Sequence, residues 1–144
     1  MLQKNTTKRI GYWLLHLHQQ FDAATGTLLR EEQLTRRDWQ ILHALQIGLG
    51  SVAELDAAFA PFLVADGART YQPIVDDFTG RGWVEVAEAT LRLTAAGEAA
   101  HERAETLVNA HAAESLRGIT EEEFLAANAV LATIADNIAT EEAP

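Results

Sequence analysis

The sequence predicts a mainly α-helical chain with one small β-hairpin. Three observations carry this reading. Long stretches toward both ends repeat apolar residues every three or four positions, and two four-residue stretches in the middle alternate in polarity. In addition, Thr35, Ser51 and Thr120 each stand three residues ahead of an acidic side chain, the pattern that opens a helix.

Residues 8–30 read as a long helix, with Ile10, Trp13, Leu14, Leu17, Phe21, Ala24 and Leu28 forming one stripe that Gly26 is expected to bend. A second helix follows over 35–47, capped by Thr35, with Asp38 compensating the amides of the first turn. Gly48-Leu49-Gly50 stops it. Ser51 and Glu54 form a capping box for a helix over 52–59, in which Glu54 reaches back to the cap amide. Pro61 is expected to end that helix, and 60–68, with Asp66-Gly67, reads as a connection. Thr70 caps a helix over 71–80 whose apolar side is Ile74, Val75 and Phe78, with Pro73 at its third position. Residues 83–86 and 90–93 alternate as strands, joined tightly by Ala87-Glu88-Ala89. Thr94 caps a helix over 95–116, and Gly118 ends it. Thr120 and Glu123 box the start of a last helix reaching about 139, followed by a frayed tail at 141–144.

The chain has 144 residues, which suits a single domain with a core of its own. It has no cysteine, which excludes disulfides, thiol catalysis and Cys-type zinc sites. It has no apolar run of membrane-spanning length, and Met1–Arg9 lacks the pattern of a signal peptide, so a cytoplasmic protein with no membrane partner is expected. Net charge is −10 and unevenly placed: +1 over residues 1–34, −3 over 35–94 and −8 over 95–144. Such a balance opposes strong non-specific binding to nucleic acid, although it leaves room for a local basic patch. No nucleophile–base motif, phosphate-binding glycine loop or HExxH appears, so no enzyme is expected.

One long helix, three short helices, a hairpin and two long helices make a winged helix-turn-helix lobe at about 35–94, between helices at 8–30 and 95–139. Particular residues sharpen this. Leu34-Thr35 with Trp39-Gln-Ile-Leu42, Glu54-Leu55, Phe78-Thr-Gly-Arg-Gly82-Trp83-Val84, Leu93-Thr94-Ala-Ala-Gly97 and Ile119-Thr120-Glu-Glu-Glu123 occur in order at compatible spacings. Together, over 8–139, they resemble the multiple-antibiotic-resistance-regulator (MarR) family. The resemblance implies a homodimeric transcriptional regulator that binds double-stranded DNA and takes a small aromatic ligand, with dimerisation through both chain ends. Leu107, Val108, Leu116, Phe124, Leu131 and Ile138 would be shared across the two-fold interface. The wing departs from the family pattern. It is shorter, it lacks the Asp-x-Arg signature, and its tip carries Glu88 where a cation would enter the minor groove.

The candidate DNA-binding residues are Arg69, Thr70, Tyr71 and Gln72 at the start of the recognition helix, with Arg36, Arg37 and Arg92. Arg pairs bidentately with guanine and Gln with adenine. Beside this stands a plainer reading, in which Arg69, Arg36 and Arg37 are solvated and Tyr71 packs on the domain. Arg81 and Arg92 would meet the DNA backbone or pair with Asp76, Asp77 or Glu85. The candidate ligand-binding residues are Tyr12, Trp13 and His16 with Trp39 and His43, set against a role for both tryptophans as core anchors. Five histidines raise the question of a metal. His16 and His18 point about 200° apart on a helix and cannot share an ion. His101 and His111 are ten residues apart and would need ligands from another element. No metal and no other cofactor is expected from the sequence. Two functions remain: a ligand-responsive DNA-binding regulator, or a dimer of the same kind whose degenerate wing has lost DNA and which binds a protein or small molecule.

Overall fold

The structure is a computed structural model and describes residues 8–142. Its helices are α1 (Ile10–Leu28), α2 (Arg36–Gln46), α3 (Val52–Ala58), α4 (Ala60–Asp66), α5 (Gln72–Gly80), α6 (Ala95–Ser115) and α7 (Glu121–Glu142). Strands β1 (Val84–Ala87) and β2 (Thr90–Leu93) lie between α5 and α6, and a short 3-10 turn, Arg30–Glu32, follows α1. This is the winged helix-turn-helix architecture expected from the sequence. The described chain divides into two compact units, the first ending at Val108 and the second beginning at Asn109.

In the first unit the core is Leu29, Leu34, Ile41, Leu42, Leu45, Leu55, Val75, Phe78 and Val84, all nearly inaccessible to solvent. The helices that enclose it start where the side chains dictate. Thr35 accepts the Asp38 amide at 3.1 Å, and the Asp38 carboxylate accepts the Thr35 amide at 2.9 Å, a complete capping box. Ser51 accepts the Glu54 amide, but Glu54 reaches one residue further back than expected and accepts the Gly50 amide at 2.7 Å. α1 runs unbroken through Gly26.

Two local expectations are corrected. Residues 60–66 are a helix, α4, with Pro61 in its first turn. Proline has no amide to leave unpaired there, and its fixed φ suits the position, so Pro61 starts a helix one residue after Phe59 closes α3. Gly67, at φ 65°, ends α4 in the left-handed conformation. The hairpin is also tighter and shifted by one residue at its first strand. Val84 pairs with Leu93 and Ala87 with Thr90, which leaves a two-residue turn, Glu88-Ala89, with both residues at positive φ (51° and 63°).

The hairpin is held to α6 at close range. Thr94 donates its amide to the Trp83 carbonyl and its hydroxyl to the Gly82 carbonyl, and it accepts the Gly97 amide. A Cβ on Gly97 would stand 2.1 Å from the Trp83 carbonyl oxygen, so only glycine permits this approach.

In the second unit, Thr120 and Glu123 form the capping box expected for α7. No residue of α7 is buried within the chain, and Phe124, Leu125, Val130, Leu131, Ile134 and Ile138 are exposed. Glu141 and Glu142, expected in a frayed tail, are the last residues of α7; Ala143 and Pro144 lie outside the described residues.

Candidate functional site

The start of α5 is built from three neighbouring elements. Asp56 on α3 accepts the Tyr71 amide at 2.8 Å and the Thr70 hydroxyl at 2.7 Å. Thr70 in turn accepts the Gln72 amide at 3.2 Å. Tyr71 is 3% exposed, and its phenol donates to Asp66 at the end of α4 (2.9 Å). Asp66 also accepts two bonds from Arg37 of α2, at 2.7 and 3.2 Å. The Arg37 guanidinium reaches Gln40 and lies 3.9 Å from the centre of the Phe62 ring.

This network ties α2, α3, α4 and α5 together, and its electrostatics follow from its geometry. The Arg37 hydrogen bond holds the Asp66 carboxyl below its ordinary pKa, against the opposing effect of burial. Burial, then the bond to Asp66, pushes the Tyr71 phenol up to about 12. Burial works to lower the Arg37 pKa, but the hydrogen bond and charge of Asp66 outweigh it and raise it.

The residues singled out at this surface therefore divide. Arg69 and Gln72 are exposed, and Thr70 is half-buried against Asp56. Gln72 donates to Asp76 at 2.8 Å. Tyr71 packs on the domain. Arg37, expected at the surface, is 9% exposed, because Asp66 and Phe62 offer it both a carboxylate and a ring face. Arg36 is bonded to Asp22 of α1 (2.9 Å) and approaches His18. Arg81 pairs with Asp77 and stacks on Trp83, and Arg92 pairs across the hairpin with Glu85 at 2.8 Å. Among the described residues, Arg69 is the one arginine of this lobe with no ion pair. Glu88 is exposed at the wing tip.

The aromatic candidates fall into two groups. Tyr12, Trp13 and His16 contact one another on α1, and Trp13 is 46% exposed, which removes it as a core anchor of this chain. Trp39 and His43 on α2 stack with His101 of α6, with ring centres 5.1–5.3 Å apart. Among the described residues no ring contact joins the two groups. Trp39 is partly buried and packs against the core.

No local pattern in the sequence pairs His101 with His43, which stands 58 residues away. The signal that was present is its place on α6: Gly97, Ala100, His101 and Ala104 are the buried positions of that helix, so His101 points inward. It is 5% exposed, and its Nε2 lies 2.9 Å from His43 Nδ1. Burial lowers its pKa; the neighbouring Glu105 works the other way, and His43 adds to the lowering. His43, Gln46, Ile47, Glu98, His101, Glu102 and Glu105 line an open cleft of about 600 Å³.

No family model and no curated protein matches the chain. Solved structures do. The reduced form of MarR from E. coli superposes with a TM-score of 0.67 at 20% identity, covering 90% of this chain and 96% of that one. A MarR-family regulator from Rhodococcus sp. RHA1 gives 0.70 at 20% identity, covering 88% and 91%. The Mycobacterium tuberculosis MarR-family protein Rv2887, in complex with DNA, gives 0.67 at 23% identity, covering 88% and 98%. The chain thus has the fold of MarR-family regulators along nearly its whole length.

Proposed function

We propose that the protein is a homodimeric, DNA-binding transcriptional regulator of the MarR type that reads the major groove with the start of α5. The observation that supports this best is the way that start is braced. Asp56, Asp66, Arg37 and Tyr71 fix the helix from three sides, while Arg69 and Gln72 stay outside and Arg69 remains free of any acidic partner among the described residues. A rigid helix end with a free Arg and a Gln suits recognition of guanine and adenine edges. The likeness to a protein crystallised with DNA supports the same reading. Arg36 and Arg92 would stand at the margin of the contact with their carboxylate partners retained, beside Thr70. Arg37 and Tyr71 act from inside the lobe, as positioning residues.

The dimer would form on the apolar faces of α1 and α7, and it would set two α5 helices about 34–36 Å apart. An aromatic effector would sit on the Tyr12–Trp13–His16 cluster, where the dimer's α1 face would leave part of these rings uncovered. Trp39 and His43 are less suited, since they stack on His101 and His43 shares its cleft with three carboxylates.

A second reading has its own support in the wing. Glu85, Arg92 and Glu88 leave the hairpin with a net negative charge, and its one cation is already paired. That favours a dimer that has lost DNA and binds another partner. Fluorescence anisotropy with the protein's own upstream DNA at low salt separates the two. Specific binding that weakens by about 1–3 kcal/mol in Arg69→Ala supports the regulator. No binding by the wild type, with no rescue in Glu88→Arg, leaves the second reading standing.

A further inference from the structure

The cleft beside α2 and α6 is used neither by the DNA-reading surface nor by the exposed aromatic cluster. We propose that His43, His101 and Glu105 form a divalent transition-metal site of the zinc type, with three protein ligands and a fourth position open to this cleft. His101 and Glu105 are four residues apart on α6 and so share one face of the helix. His43 comes to them from α2, and one ligand atom of each residue lies within 4.8 Å of the other two. His43 Nδ1 lies 2.9 Å from His101 Nε2, the nitrogen that would bind the ion, while the other nitrogen of that ring, Nδ1, lies 3.9 Å from Glu105 Oε2.

Ligand atoms about 2.0–2.2 Å from a tetrahedral zinc lie about 3.3 Å from one another. The imidazoles need to part by only a few tenths of an ångström. The Glu105 side chain is 42% exposed, so its carboxylate can turn toward the ion. The 2.9 Å contact places a proton on one of the two facing nitrogens, so that ring would shift its proton to its other nitrogen on binding, with no change of charge.

Three features distinguish this cluster from a chance meeting of side chains. The His101 ring is buried and in contact with those of both Trp39 and His43, which restrains its orientation before any ion arrives. The cleft gives an ion a way in. Its lining has Glu98, Glu102 and Glu105 and no Lys or Arg, a field that concentrates cations and repels organic anions. The donor set, two imidazoles and a carboxylate with no thiolate, is of the kind that holds zinc with one position left for water or a further ligand. A bound ion would cross-link α2 to α6 within the first unit.

The test uses the full-length protein and metal ions alone, without DNA, so its outcome is independent of the regulator reading. Equilibrium dialysis against zinc should give one ion per chain, and cobalt(II) should give the visible absorption of a low-coordinate nitrogen–oxygen site. Zinc should also raise the melting temperature by linkage. His43→Gln, His101→Gln and Glu105→Ala should each weaken binding by at least about tenfold, whereas His111→Gln should bind as the wild type does. Should His101→Gln fail to fold by circular dichroism, the two more accessible variants, His43→Gln and Glu105→Ala, decide. No stoichiometric zinc binding, or ligand variants that bind as tightly as the control, overturns the proposal.

Discussion

At the scale of single residues, the lobe holds a buried polar group that its sequence does not advertise. Tyr71 stands among the residues expected to touch DNA, yet its phenol is buried and bonded to Asp66. Arg37 and Asp66 are 29 residues apart and Tyr71 and Asp56 are 15 apart, so no local periodicity announces either contact. The Tyr71 pKa makes the arrangement measurable. It rises from an ordinary 10.0 to about 12 in the fold, so the neutral phenol is the form the fold prefers. Its contribution is complete below pH 10 and is lost as pH climbs through about 12, since the unfolded chain gives up that proton first. Tyr71→Phe removes one hydrogen bond while Arg37 still satisfies Asp66, so it should cost about 1 kcal/mol at neutral pH. Urea denaturation at pH 8 and pH 11 should show the difference between wild type and variant shrinking or reversing at the higher pH. A constant difference would mean that the phenol titrates alike in both states. Asp66 works in the opposite direction. Its folded pKa is lowered, so its stabilisation is present above its ordinary 3.8 and disappears as pH falls through the lower folded value.

At the scale of elements, what could be read from the sequence was what local chemistry decides. The caps at Thr35, Ser51 and Thr120 are all formed, because each needs only side chains within a few residues of one another. The alternation over 83–86 and 90–93 does give a hairpin. What escaped was decided by competition. Pro61 both forbids continuation of α3 and favours a new first turn, and only the packing of Phe62 and Leu63 against the core tells which effect prevails. The turn of the wing escaped for another reason. Glu88 and Ala89 both adopt the left-handed conformation, which favours Asn and Gly, so the sequence carries no turn signature there. The strain can be relieved. Glu88→Asn with Ala89→Gly should stabilise the lobe by about 1 kcal/mol, raising the midpoint of thermal unfolding without altering the strand register. An unchanged or lowered midpoint would show that the turn is not of this type. The metal cluster escaped for the reason that also hid Arg37 and Asp66: its members meet only when α2 and α6 are packed.

At the scale of the whole molecule, the apolar stripe of α1 was legible from its spacing, but its destination was not. Ile10, Trp13, Leu14, Leu17 and Phe21 are all exposed within the chain, as are the apolar residues of α7. Faces of this extent on a folded chain call for a partner, and a second copy burying about 2,000 Å² or more would satisfy them. Sedimentation at micromolar concentration should therefore find a dimer, and a monomer there would dissociate the exposed stripe from self-association. The charge pattern sets the second expectation at this scale. Of the five arginines between Thr35 and Thr94, Arg36, Arg37, Arg81 and Arg92 are paired with Asp22, Asp66, Asp77 and Glu85. An arginine that keeps its carboxylate releases no counterion from DNA, so each lobe has Arg69 and little else to neutralise phosphate or read a base. The salt slope scales with phosphates neutralised, by about 0.9 for each. A dimer using one or two cations per lobe should therefore lose affinity with a logarithmic slope of about 2–4 in salt concentration, shallow for a dimeric regulator. Glu88→Arg adds one cation to each wing tip and removes a repulsion. It should strengthen binding to specific and unrelated duplexes alike and steepen the slope by about 2 per dimer. Anisotropy titrations between 50 and about 200 mM salt measure both quantities. A wild-type slope near 10 would mean that the arginines abandon their carboxylates on DNA, and the lobe's ion pairs would then be a resting arrangement that binding exchanges for phosphate.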